Sequence, residues 1–432
     1  MNEIYLAIVL LTVYGDIVKR YLPASVAIGG LYALALAILI WITVKNSSQK
    51  KVKSFLSFEE RQIVNCIYFL VGIYALELLT SSSTLLVSAI SASSYILVPL
   101  GYTLVTIKYC PQFNDTIFAQ MFHVAMIPVN IIGLIQFRID PNFFVSQNYS
   151  ETGGVIYRNL FEGEKFARFP SLFASADRYS AMGLIQLYLA FVLLLNGQIK
   201  SKFKIAWVFF NILSGLTAMS ISGARSRLLI SSVALILLGL TTFMSFFTFS
   251  KTKNLFKPIF EFLLILVFIG IAIGLIYPDV FLSLGQEINN FQVLEFLQQS
   301  IGEGDVQGRV DQAIQFSLIP EGTSLLGEGL GSLGNKPTEF GINAFWVESG
   351  LLWGIPKLFA FLGIILIFFS LAFRAFVKLQ PLRTTIFIIP PLILCFGLLT
   401  GLTGAFELSS GILFCVCMGF IIKSSKFIYF LE

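Results

Sequence analysis

Apolar runs of about 20 residues, the length that crosses a hydrocarbon core, recur along this chain and leave little room for anything else. They fall at roughly 3–18, 24–44, 63–81, 84–107, 117–137, 180–197, 204–222, 228–249, 258–277, 350–373, 384–404 and 408–422. The first and last are short, and only a Ser-Ser-Ser turn separates the third from the fourth. Over 432 residues, 56% are hydrophobic and 12% charged, whereas soluble domains carry about 25% charge. Too little charge is present to cover a soluble surface, so soluble globular, disordered, fibrous and nucleic-acid-binding classes are excluded. The expected fold is all-α: a polytopic membrane protein, one integral domain over 1–432, with about 12 transmembrane helices. The first run lacks a small-residue cleavage site before Lys19-Arg20-Tyr21-Leu22-Pro23 and reads as a retained helix.

Basic residues orient the spans. If the connection with Lys45, Lys50, Lys51, Lys53 and Arg61 is cytoplasmic, then so are Lys108, Lys200, Lys202, Lys204, Lys251, Lys253, Lys257, Arg374, Lys378, Arg383, Lys423 and Lys426. These are the larger share of the 29 Lys and Arg, and both termini then lie in the cytoplasm. Two long extracytoplasmic loops follow, 138–179 and 278–349. Long loops in compact chains are usually functional. The second is rich in acids, and its stretches 293–300 and 306–318 read as amphipathic interfacial helices. Its glycines, Gly327, Gly329, Gly331 and Gly334, lack the strand, helix and Lys-Ser/Thr of a phosphate loop. They read as tight turns.

The five cysteines lie in or beside apolar runs without metal-ligand spacing and read as small packing residues. The single histidine, His123, sits about two turns inside the fifth span and reads as a buried, hydrogen-bonded side chain. Pro128, Pro390 and Pro391 should kink or break their spans and free carbonyls for neighbours or a cavity.

Most outward-facing basic residues are Arg, while the cytoplasmic ones are mostly Lys. An ammonium serves as a point charge, whereas the guanidinium fork binds phosphate oxygens bidentately. Arg225 and Arg227 stand in a turn, Ser222-Gly223-Ala224-Arg225-Ser226-Arg227, with almost no loop to solvate them. Arg168 and Arg178 flank the entry to the sixth span, and Arg309 lies in the second long loop. A cluster of this kind at the membrane surface suits a lipid phosphate or pyrophosphate. The bland alternatives are snorkelling to headgroups for the Arg225 turn and, for Arg138, Arg158 and Arg178, pairing with Glu162, Glu164 or Asp177.

Four motifs occur in order: Arg168-Phe169-Pro170-Ser171-Leu172-Phe173 entering a span; Ser222-Gly223-Ala224-Arg225-Ser226; Gly327-Glu328-Gly329-Leu330-Gly331; and Glu348-Ser349-Gly350-Leu351-Leu352-Trp353-Gly354 opening the next span. Over residues 165–375 this set resembles the O-antigen ligase and polysaccharide polymerase superfamily of bacterial membrane glycosyltransferases. The resemblance implies an inner-membrane enzyme that moves a glycan from a polyprenyl-pyrophosphate carrier to an acceptor hydroxyl at the outer face. It implies membrane lipids and polysaccharide assembly proteins as partners, and neither cofactor nor metal. Arg225 and Arg168 match the family arginines that stabilise the leaving pyrophosphate, with Arg227, Arg178 and Arg309 as further phosphate candidates.

Relatives often carry a His-Asn pair in the second loop as acceptor base. Here the loop has no histidine, and Ile342 precedes Asn343. Glu348 and Glu339 are the candidate replacements, since burial can move a carboxyl into the useful range; either could instead be a helix-start acid pairing with Arg309. The missing histidine favours polymerase over ligase. The alternatives are a twelve-span transporter, for which Glu77 and Glu261 are the intramembrane acids, and a non-catalytic glycan-assembly partner.

Overall fold

The structure is a computed structural model that describes residues 2–21, 24–47, 58–80, 97–109, 115–140, 143–144, 156–161, 164–173, 176–195, 202–222, 323–329, 332, 342–378 and 408–424. The described residues are helical apart from one hairpin and short turns. The helices are α1 (Asn2–Tyr21), α2 (Ala24–Ser47), α3 (Phe58–Thr80), α4 (Val98–Tyr109), α5 (Asp115–Arg138), α6 (Ala176–Leu195), α7 (Lys202–Ile221), α8 (Ile342–Lys378) and α9 (Leu408–Ser424). Four are long and apolar enough to cross a membrane, over Glu60–Thr80, Thr116–Arg138, Phe203–Ile221 and Phe345–Ile367. Shorter apolar helices run over Gly30–Lys45, Val98–Ile107, Arg178–Leu193 and Gly411–Phe420. The expected spans at 228–249, 258–277 and 384–404, the interfacial stretches 293–300 and 306–318, Pro390, Pro391 and Glu261 lie outside the described residues.

The hairpin belongs to the first long loop. Strands β1 (Ile156–Phe161) and β2 (Glu164–Arg168) pair antiparallel, Ile156 opposite Arg168, with an irregularity between Asn159 and Phe161. An all-helical expectation has no place for it. Only the few residues Ile156, Tyr157, Phe161 and Phe166 mark strands in an otherwise polar loop, a far weaker signal than a span.

One helix departs instructively from the expected segment boundaries. α8 begins at Ile342 rather than near 350 and is interrupted at Gly350, whose φ of 62° and ψ of −170° are not helical. It is two helices, 342–349 and 351–378, in one line of sequence. The acid and glycine of Glu348-Ser349-Gly350 look like the end of a loop, but they end a short first helix.

Packing puts α6 at the centre. Residues 179–193 of it are all buried, enclosed by α5, α7 and α9. Its tightest neighbour is α7, where small residues let the two backbones touch. A Cβ on Gly183 would stand 2.8 Å from the Gly215 carbonyl oxygen, and one on Gly215 would stand 2.7 Å from that of Gly183. Neither obstacle is a side chain that can rotate away. Gly215→Val is therefore expected to cost about 1–3 kcal/mol, read as a lowered thermal transition in detergent; an unchanged transition would contradict this contact.

Elsewhere α9 lies on α4, and α8 lies on α3. Cys415 and Cys417 are both fully buried on α9, and the Cys415 carbonyl accepts a hydrogen bond from Thr103. Cys66, Cys415 and Cys417 are free thiols; Cys110 and Cys395 lie outside the described residues. α5 runs through Pro128 without interruption. Neighbouring hydroxyls bind carbonyls around that proline, Tyr14 donating to Ala125 at 2.6 Å and Ser171 to Val129, which is how membrane helices accommodate proline.

Candidate functional site

Two junctions join the motifs singled out in the sequence. The first is built on residues 169–173, which follow β2. Phe169 donates its N–H to the Ile221 carbonyl at the end of α7, at 3.4 Å. Phe173 closes the turn by donating to Pro170, and Ser171 has a φ of 55°. Gln136, fully buried near the end of α5, holds this turn with both ends of its amide. Its oxygen accepts from Ser171 N–H at 2.7 Å, and its nitrogen donates to the carbonyls of Ser171 and Phe143. Phe169 meets Phe137 edge-on, and Phe173 stacks on Tyr179. A segment that reads as loop is thus a buried plug between helix ends. It puts the backbone of Arg168 one residue from a hydrogen bond to α7, the helix that directly precedes the motif 222–227 in the sequence.

The second junction is the break in α8, onto which residues 323–329 dock. At a break, the last carbonyls of one helix and the first N–H groups of the next lose their partners. Here the loop supplies both. Glu328 and Gly329 donate to the carbonyls of Val347 and Glu348, at 2.8 and 3.0 Å; Leu351 and Leu352 donate to those of Ser324 and Leu325, at 3.1 and 2.9 Å. The Ser324 hydroxyl accepts from Gly327 N–H at 2.8 Å. The loop can come this close because Gly327 (φ 75°) and Gly350 (φ 62°) face each other without side chains. Gly327 and Gly329 have the turn conformations expected of them, and the turn they make is a cap on a broken helix.

Beneath the break lies a charged cluster. Lys357, two turns into the second half of α8, is fully buried, as is Glu77 of α3. Their side chains form an ion pair. Lys357 also donates to the Ser349 hydroxyl at 2.9 Å and lies 4.0 Å from the centroid of the Tyr74 ring. Glu348 is 7% exposed and interacts electrostatically with Lys357 and Tyr74. Trp353 donates its indole N–H to Thr80 at 2.9 Å, tying the same two helices a little further out.

Of the residues expected at a site, Glu348 is therefore buried beside the break. Arg178 is bound by Asp16 of α1, one guanidinium nitrogen lying 2.9 and 2.7 Å from the two carboxylate oxygens. That partner comes from neither Glu162, Glu164 nor Asp177. The backbone of Arg168 is placed as described above. Arg225, Arg227, Arg309 and Glu339 lie outside the described residues.

Sequence reading missed Asp16 and the importance of Lys357. The available signal was a charged residue inside an apolar run, which is costly unless paired. It also missed a polar network between α5, α6 and α7. Asn130 donates to Gln186 at 3.1 Å and to Ser214 at 2.6 Å, Tyr179 donates to Asn130, and Gln186 donates to Asn211. His123 joins it through Nε2, 3.1 Å from the Gln186 carbonyl, while its Nδ1 has no partner among the described residues. The chain matches no known protein-family model and no curated protein.

Proposed function

We propose that the chain is a glycan polymerase of the bacterial inner membrane, acting at its outer face on a polyprenyl-pyrophosphate-linked glycan. The acceptor hydroxyl oxygen bonds to the sugar carbon, the bond from that carbon to pyrophosphate breaks, and the leaving group departs with the electron pair. Fixed cations stabilise the charge that develops there. Polysaccharide assembly proteins and lipids surround the enzyme as partners, and no cofactor enters.

The observation that carries this reading is the hydrogen bond from Phe169 to Ile221. Arg168 and Arg225 belong to motifs 57 residues apart by their own numbers, yet Arg168 directly precedes Phe169, which binds Ile221, and Ile221 stands four positions before Arg225 in the sequence. Ion pairs fit the order in which the spans alternate. Glu3 with Lys45, Asp16 with Arg178, and Glu77 with Lys357 each join positions that the charge-derived topology assigns to the same side.

The test is the size profile of surface polysaccharide in cells deleted for the gene. Deletion should collapse the ladder to a single repeat unit, restored by the wild-type chain. Arg225→Ala at normal expression should fail to restore it, since removing one fixed stabilising donor costs about 10²–10³ in rate. Full rescue by Arg225→Ala would end the pyrophosphate reading; a ladder that persists on its lipid carrier would mean ligase. A solute transporter is the second reading, favoured by the interrupted helix α8 with a buried ion pair beside it, both recurrent at transport sites. An unchanged polysaccharide profile after deletion would bring it forward.

A further inference from the structure

The end of α5 combines a cation with apolar side chains that face outward. Val124, Ile131, Leu134 and Arg138 share one face of this helix by their spacing. The three apolar ones are exposed, on a helix long and apolar enough to cross a membrane, so theirs is the face that acyl chains cover. Arg138 ends the stripe. Among the described residues it makes no ion pair; its guanidinium carbon lies 4.8 Å from the centroid of the Phe137 ring.

Exposed apolar groups continue past the helix end. Ile139 is 78% exposed, and Phe143 is exposed as well. The backbone that carries them is held. Ile139 and Asp140 both donate to the Ile135 carbonyl, at 2.8 and 3.1 Å, and Phe143 donates to Asp140 at 3.0 Å. The buried amide of Gln136 donates to the Phe143 carbonyl at 2.8 Å. Phe144 follows at a φ of 60°, a conformation that bulky residues rarely adopt, its ring centroid 5.4 Å from that of Phe143. Apolar side chains fixed outward around a cation mark a surface built for a partner that is apolar on one part and anionic on another.

We infer that Arg138, Ile139 and Phe143 form a phospholipid site: Ile139 and Phe143 enter the leaflet at this end of α5, and the Arg138 fork binds the headgroup phosphate of a lipid whose chains lie along Ile131 and Leu134. Continuity decides the occupant, because the corner extends the acyl-facing stripe of α5 without a gap. An arginine that ends such a stripe stands at headgroup depth, within reach of its long stem. Its planar guanidinium matches a phosphate with two parallel N–H bonds. The same Gln136 amide also holds Ser171, so the lipid fixes the depth of the plug 169–173 as well. The site is independent of the glycosyl-transfer reading.

The test places the full chain in phosphatidylcholine vesicles with a bimane label at Ile139→Cys or, separately, Phe143→Cys. The wild-type chain, treated the same way, sets the background from its own cysteines. A small share of the lipid carries a nitroxide near the top of one acyl chain. It is either phosphatidylglycerol or the diacylglycerol with the same chains, which lacks the phosphate. Both labels should be quenched by nitroxide lipid and shielded from aqueous iodide; either folded variant suffices. Phosphatidylglycerol should reach half-quenching at an about 5-fold lower share than diacylglycerol, equivalent to about 1 kcal/mol for one arginine at an anionic surface. Arg138→Gln should abolish that preference and leave the thermal transition unchanged, since Arg138 is exposed. A label open to iodide and untouched by nitroxide lipid overturns the inference, as does a preference that survives Arg138→Gln. Displacement of the nitroxide phosphatidylglycerol by an equimolar amount of polyprenyl phosphate also overturns it, and gives the corner to the carrier lipid.

Discussion

Gly350→Ala is expected to undock residues 323–329 from the break in α8, the largest effect any single methyl group should have in the described structure. Two costs coincide. The backbone at φ 62°, ψ −170° lies in a region open essentially to glycine alone, and holding another residue there costs about 1–3 kcal/mol. The added Cβ would also stand 2.3 Å from the Gly327 nitrogen and 2.6 Å from the Leu326 carbonyl carbon. Those are main-chain atoms of the loop whose hydrogen bonds cap both halves of α8. Moving the loop away therefore costs those bonds, each worth about 1 kcal/mol net. Hydrogen exchange at Glu328, Gly329, Leu351 and Leu352 reads the result directly: their protection should be lost together. Gly72→Ala is the control, since a Cβ there meets nothing within 4 Å, and helix propensity makes it neutral or slightly stabilising. Retained protection in Gly350→Ala would mean that the loop is not held as described.

This junction also shows what a sequence reveals and what it conceals. Apolar length is a one-dimensional property, so α1, α2, α3, α5, α6, α7 and α9 could be outlined from composition alone, with edges off by a few residues. The interruption at Gly350 could not. Its short first helix, 342–349, is satisfied by backbone groups some 20 residues upstream, and main-chain hydrogen bonds leave no mark on side-chain chemistry beyond the glycines that permit close approach. The motifs around Gly327 and Gly350 were visible as strings; that they meet was not. Pairing was hidden for the same reason. Arg178 stood beside Asp177 and near Glu162 and Glu164 in the sequence, but a helical bundle brings it to Asp16, 162 positions away. The His123 network is similar: Asn130, Gln186, Asn211 and Ser214 are unremarkable singly, and become a network only because the Gly183–Gly215 contact draws α6 and α7 together.

Lys357→Met should be far more damaging alone than together with Glu77→Gln. Lys357 and Glu77 are 0% and 1% exposed, so removing the ammonium leaves the Glu77 carboxylate without its cation in a setting that water does not reach. Breaking a buried pair from one side costs about 3–5 kcal/mol, whereas replacing both partners by neutral groups of similar size is often tolerated. The single variant should accumulate poorly and unfold early in detergent. The double variant should recover to within about 1 kcal/mol of wild type, the upper range of interchange between a buried pair and an isosteric one. An exposed pair gives the contrast: Glu3 and Lys45, 74% and 39% exposed, should lose less than about 1 kcal/mol when Lys45 is replaced. Lys357 also donates to the Ser349 hydroxyl in the last turn of the helix 342–349, a bond that Met cannot make, so the remaining deficit of the double variant measures that one hydrogen bond, about 1 kcal/mol.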